Sequence, residues 1–362
     1  MKILLAIFSA LLLGACATTP EERPVLQFGA QAAPGAKGTM FPAQQVEEIP
    51  RYIYVGQLTG EENFVWPEAK RDTIGGFFRW LAGIIGGDST PEILQRPQHG
   101  VIDEAGRILV TDISRQAVVV FDQVAGRMVF WDKAVGYQGF VSPVGIALGN
   151  NGEAFVADAE LALVARLDRD GNSLGAIGRG VLQRPTGVAW DAKRQRLYVA
   201  DTHGHDIKVF DAAGSLVGNF GERGDGRGEF NFPTFLALRN DELFVSDTMN
   251  ARIQVVSAEN GVYRRSVGMR GMYVGNLVRP KGVTVDTEGN VYVVESYHDH
   301  LLVFNRRGQF LMPIGGGAGQ DIGQYYLPSG VWTDSGNRIY LADTFNGRIV
   351  VYQFLGGGAE NE

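Results

Sequence analysis

The chain has 362 residues, 45% of them apolar, with a formal net charge of −7 and one cysteine. That length and apolar content support one large packed domain or two ordinary ones, while the acidic balance argues against nucleic-acid binding, which needs clustered Lys and Arg. Forty-nine glycines against 14 prolines, with 10% aromatics, point to an all-β chain of short strands and tight turns.

In chain order, residues 1–15 read as a signal peptide: Lys2 precedes an apolar run, Ile3 to Ala15, too short to span a bilayer. Leu13-Gly14-Ala15-Cys16 resembles the bacterial lipobox. The resemblance implies cleavage before Cys16, acylation there, and membrane attachment through the lipid alone. Ala17 in place of Asp implies an outer-membrane lipoprotein facing the periplasm, with the plasma-membrane exterior as the alternative. Because Cys16 is the only cysteine, the domain is expected to fold without an internal disulfide. Residues 16–50 carry prolines at 20, 24, 34, 42 and 50 and show no apolar period. They read as a flexible tether with a root-mean-square reach of about 30 Å.

Residues 51–355 are expected to form the folded domain, followed by a tail over 356–362. Within it, Phe77, Trp80, Leu81, Ile84 and Ile85 recur at helical spacing, so 72–86 reads as a short helical insertion. It would pack on the ring edge, form a lid or partner-docking surface, or touch the membrane.

From residue 97 one phrase recurs six times: Pro, a short apolar strand, a turn, a strand ending in an acid, a polar turn, and a third strand. The copies start at Pro97, Pro143, Pro185, Pro233, Pro280 and Pro328. Their second strands end at Asp112, Asp158, Asp201, Asp247, Glu295 and Asp343, spaced 46, 43, 46, 48 and 48 apart. A fourth strand follows each of Gly126, Gly171, Gly214, Gly261 and Gly308. Each unit is therefore a four-stranded propeller blade. Turns such as Asp247-Thr-Met-Asn-Ala-Arg-Ile253 and Asp343-Thr-Phe-Asn-Gly-Arg-Ile349 make the chain similar to the NHL-repeat family over residues 97–353, and more narrowly to bacterial NHL lipoproteins of unknown function. The resemblance implies a six-bladed β-propeller.

The sixth copy lacks its outer strand, and a propeller must hide its edges. Tyr52-Ile-Tyr-Val-Gly-Gln-Leu-Thr-Gly60 is therefore expected to pair with Ile349–Tyr352 and close the ring.

Six acids around one face suggest either a cation site or a repeated architectural duty, and repetition favours the second, with each Asp accepting bonds from the turn after it. Function should show where a copy departs from the pattern. Two residues after the proline, four copies have Gly (145, 187, 282, 330) and two have His99 and Phe235, which would narrow or line the pore mouth. All five histidines, His99, His203, His205, His298 and His300, are expected on loops of this face. Blade 5 departs most, with Glu295, Tyr297, His298 and His300, and blade 2 carries Glu160 and Leu161.

These residues are the candidate ligand-binding positions. No His-Glu-x-x-His and no credible serine or cysteine triad is present, so the expected role is a non-catalytic binding or scaffold module engaging an envelope protein or extracytoplasmic ligand. No cofactor is predicted. The alternative comes from the resemblance: six-bladed relatives include calcium lactonases and a zinc lyase. It would make Glu295, His99 and His298 the first metal ligands to test.

Overall fold

The computed structural model describes residues 23–29, 38–42, 49–67 and 90–356. Cys16, the 72–86 segment and the chain beyond 356 lie outside the described residues.

Six antiparallel sheets form the blades of a propeller. Blade 3 shows the common pattern, Pro185–Asp191, Arg196–Asp201, Asp206–Asp211 and Leu216–Phe220, paired in that order. In the second and third strands every residue from Leu197 to Ala200, and Ile207, Val209 and Phe210, is buried. Those strands are covered by neighbouring blades on both faces, so they read as nearly continuous apolar runs. The glycines before the fourth strands turn the hairpins in the left-handed region, with φ between 66° at Gly126 and 87° at Gly214, where a side chain is disfavoured.

The inner strand of each blade starts, and the second strand ends, on one face of the ring, called here the acid face. The connection from one blade to the next opens on that face as well.

Closure follows the expected route. Tyr52–Leu58 pairs antiparallel with Arg348–Phe354, from Ile349 opposite Leu58 to Phe354 opposite Tyr52. The chain's beginning supplies the outer strand of blade 6, whose own strands are Val331–Thr333, Arg338–Asp343 and Arg348–Phe354. Tyr52 also meets blade 5, its hydroxyl lying 3.3 Å from that of Tyr292.

Two pieces of the segment read as tether instead lie against the ring. Met40–Phe41 adds a fifth strand to blade 6 by pairing with Tyr52–Ile53, and Val25–Leu26 pairs with Phe64–Val65. Their aromatic side chains explain the docking, since Phe41 packs edge-on against Tyr352 at 5.6 Å and Phe28 against Tyr340 at 6.4 Å. Burial of that apolar surface offsets the cost of ordering a Pro- and Gly-rich chain.

Candidate functional site on the acid face and axis

The acids that close the second strands are almost wholly buried, Glu295 at 1% exposed and the other five at 0%. Each is held by N–H donors. Asp112 accepts the backbone N–H of Gln95 and Arg96 from the preceding connection and of Ser114 and Arg115 from the following turn. Asp158 repeats this with Val141, Ser142, Glu160 and Leu161. The acid therefore ties the arriving connection to the turn, a second duty beyond the expected one. In blades 4 and 6 an arginine five residues on completes the knot. Arg252 Nε donates to Asp247 at 2.8 Å, and Arg348 Nε to Asp343 at 2.7 Å. Their outer nitrogens donate to carbonyls of the Gly-rich connections, Gly226 for Arg252 and Gln320 for Arg348.

A hydroxyl beside the acid links each of several blades to the next. Thr202 Oγ1 donates to the Pro233 carbonyl, Thr248 to Pro280, and Thr344 to Pro97 across the closure, all within 2.7–2.8 Å.

At the axis the inner strands approach so closely that four glycines are obligatory. A Cβ at Gly145 would sit 2.2 Å from the Thr186 carbonyl oxygen, and one at Gly330 2.3 Å from that of Gln98. Gly187 and Gly282 meet the next blade's carbonyl in the same way. Blades 1 and 4 use another device. Thr111 Oγ1 donates to the Val144 carbonyl and Ser246 Oγ to that of Lys281, and these two blades carry His99 and Phe235 in place of the glycine.

The two rings meet across the axis with centroids 5.6 Å apart. They are 8% and 4% exposed, so they fill the channel rather than line its mouth. His99 also packs edge-on against Trp332 at 5.8 Å. The expectation of a loop position for His99 fails because two residues past the proline lies inside the strand Pro97–Ile102. An axial cavity of about 290 Å³, lined by inner-strand residues of all six blades, includes His99 in its wall.

Burial pushes the His99 imidazole down to about 4 from the usual 6.5. The folded value lies below the unfolded one, so as pH falls through 6.5 the unfolded chain takes up a proton that the folded chain refuses until about pH 4. Stability is fully present above 6.5 and is lost across that window. The difference corresponds to about 3 kcal/mol. Urea unfolding at pH 7 and pH 4.5 is therefore expected to show a drop about 2–3 kcal/mol larger in wild type than in His99→Leu. Parallel pH profiles for the two proteins would count against this account.

The other histidines form two separate pairs. In blade 3, His205 packs edge-on against Phe232 at 4.4 Å and accepts its backbone N–H, and His203 lies 6.0 Å from the same ring. Burial first, then the Arg223 charge, holds His205 below its ordinary pKa. In blade 5, His300 Nδ1 lies 2.5 Å from the His298 carbonyl oxygen. Glu295 spends its carboxylate on the N–H groups of Val278, Arg279 and Tyr297. With His99 at the axis and Glu295 so occupied, Glu295, His99 and His298 are not gathered at one point. Among the described residues no three His, Cys, Asp or Glu side chains are grouped to hold a metal. In blade 2, Glu160 is paired with Arg184 at 2.7 Å.

Blade 5 has His300 where blades 4 and 6 have the arginine that pins the connection. A small cavity of about 60 Å³ lies between His298, His300 and Glu295 and the loop residues Tyr273 and Asn276. That loop turns its apolar side chains outward, with Met272 65%, Tyr273 83% and Val274 58% exposed. Met249 and Tyr297 from the flanking turns are half exposed too, and blade 6 adds the edge-on pair Tyr326 and Phe345 at 5.5 Å. Sequence reading singled out Tyr297 but missed Met249, Met272, Tyr273, Tyr326 and Phe345. The available signal was Met269-Arg-Gly-Met-Tyr-Val274, a Met- and Tyr-bearing stretch in a connection that is polar and Gly-rich before blades 4 and 6.

Fold and face together define a six-bladed β-propeller with a plugged axis and a decorated loop face. Residues 182–210 match the family model for the NHL repeat, and residues 283–362 match a family described as a 6-bladed beta-propeller. The chain is a six-bladed β-propeller that carries an NHL repeat and is similar to NHL-repeat proteins. It is 32% identical to protein brain tumor of Drosophila melanogaster over 38% of this chain and 13% of that protein. It is 33% identical to human NHL repeat-containing protein 2 over 33% of this chain and 21% of that protein. It thus matches only a small part of these relatives' length. Among solved structures, a gluconolactonase from Xanthomonas campestris superposes with a TM-score of 0.55 at 16% identity, covering 73% of this chain and 89% of that one, a likeness of fold.

Proposed function

We propose that this protein is a membrane-tethered, extracytoplasmic binding module that engages a protein partner through its acid face. The observation that carries the reading is the group of exposed Met and aromatic side chains across blades 4 to 6, Met249, Met272, Tyr273, Tyr297, Tyr326 and Phe345. Aromatic and Met residues are enriched at protein interfaces, and loops on a rigid scaffold are where binding sites concentrate. Arg96 lies over the Phe345 ring at 5.0 Å, so this surface combines apolar area with guanidinium groups. The tether rests on the lipobox resemblance at Leu13–Cys16, and the outer-membrane location on Ala17 in place of Asp. The alternative, a metal-dependent hydrolase or lyase, draws no support from the placement of Glu295, His99 and His298.

A photo-crosslinking amino acid placed at Tyr273 in cells tests the proposal. A discrete adduct is expected from Tyr273, absent when Met272→Asp is added and absent from a control position at Val217 on the outer strand of blade 3. Metabolic labelling with a fatty acid should mark the wild-type protein and not Cys16→Ser. Identical adduct patterns from Tyr273 and Val217 would sink the face assignment, and a wild-type protein that takes up no fatty acid would sink the tether.

A further inference from the structure

We infer that the cleft between blades 4 and 5 accepts an acidic, apolar segment of the partner protein, one apolar side chain flanked by carboxylates. This rests on the protein-binding reading and names the chemistry of the partner. The cleft has a volume of about 460 Å³ and is walled by Met249, Met272 and Tyr297, with Arg270 and Arg279 beside them. That volume is in the range of ligand-binding clefts. No carboxylate lines it, in a chain whose net charge is −7.

The guanidinium groups have donors to spare. Arg270 uses its Nη2 on the Met249 carbonyl at 2.8 Å, and its remaining N–H groups stay available. Arg279 gives only its backbone N–H to Glu295, and neither arginine belongs to an ion pair among the described residues. A guanidinium fork matches a carboxylate in bidentate geometry, and Met side chains adapt to the shape of an apolar group. A basic segment meets two like charges there. A neutral one covers the guanidinium groups without pairing them. Both are selected against.

The origin of the cleft lies in the repeat. Arg252 and Arg348 pin the connections before blades 4 and 6, whereas His300 makes no bond to the connection before blade 5. Met272 and the two arginines that border the cleft, Arg270 and Arg279, come from that connection and its junction with the inner strand.

The test titrates the full chain in detergent with fluorescein-labelled, amidated pentapeptides Glu-Asp-X-Asp-Glu, where X is Leu, Met, Phe, Tyr or Trp, and with matched Gln-Asn-X-Asn-Gln peptides. At least one acidic peptide should bind, with its neutral match weaker by about tenfold or more, and rising salt should weaken binding. Arg270→Glu with Arg279→Glu should lower that affinity by about tenfold or more at an unchanged melting midpoint, since both side chains are exposed. Equal affinity for matched peptides, or indifference to the double charge reversal, overturns the inference. Absence of acidic-peptide binding while the Tyr273 adduct persists also overturns it and leaves the protein-binding reading standing. Loss of both overturns both.

Discussion

Deleting residues 51–60 is expected to abolish the single cooperative melting transition. The strand Tyr52–Leu58 is the whole of the ring closure on its side, six residue pairs with Arg348–Phe354. Tyr52, Tyr54 and Leu58 are 2%, 3% and 0% exposed, and the Tyr54 ring lies edge-on to Tyr352 at 5.9 Å. Tyr352 in turn shares a 2.6 Å hydrogen bond with Tyr325 in the connection before blade 6.

Truncating one buried Leu or aromatic side chain costs about 2–5 kcal/mol. Three such losses together rival the 5–15 kcal/mol that stabilises an ordinary domain. The deletion also bares the edge of Ile349–Tyr352, a flat apolar strand able to pair with another copy. Circular dichroism melts and gel filtration read both effects: a broad or absent transition, and a shift to larger species. Leu58→Ala is the milder form, expected to cost about 3 kcal/mol. A deleted protein melting within about 5 °C of the intact one, where 1 kcal/mol moves the midpoint by about 2–4 °C, would show that the ring closes without this strand.

The propeller and this closure were legible because a ring forces every blade to repeat the same duties, and repetition survives in sequence as spacing and as Pro, Gly and Asp at fixed places. What resisted reading depends on contacts between distant residues. The acids were assigned to the turn after them, yet Asp112 equally holds Gln95 and Arg96 from 17 and 16 positions earlier, which no local pattern announces. Thr111 and Ser246 are ordinary strand residues until their hydroxyls are seen to replace a glycine contact in the two blades carrying His99 and Phe235. Met40–Phe41 is too short to show a period, and only its partner strand makes it a strand. Histidines drew attention by rarity. Exposed Met249, Met272, Tyr273, Tyr326 and Phe345 did not, because apolar residues in a propeller are usually core, and exposure is a property of the loop's path.

Asp247→Ala should cost about 3–5 kcal/mol, the toll for removing one partner of a buried ion pair. Asp247 is fully buried and accepts from the Asn231 backbone N–H at 2.7 Å, Asn250 Nδ2 at 2.9 Å, Arg252 Nε at 2.8 Å and Gln254 Nε2 at 3.1 Å. Truncation leaves the Arg252 guanidinium, only 19% exposed, without its counter-charge and frees the connection that Arg252 holds through Gly226 and Glu229. A melting midpoint lower by about 10 °C corresponds to that loss.

The pairing account makes a further demand. If the cost is the stranded cation, Asp247→Leu combined with Arg252→Met should be less damaging than Asp247→Leu alone, with a coupling of about 1–3 kcal/mol in the double-mutant cycle. A cation-site account predicts something else: calcium would stabilise wild type, chelator would destabilise it, and Arg252→Met would leave the Asp247→Leu cost unchanged. Chelator-insensitive melting together with a positive coupling would establish the acids as the fasteners of the ring. A chelator-induced fall in the midpoint would return them to the list of metal ligands.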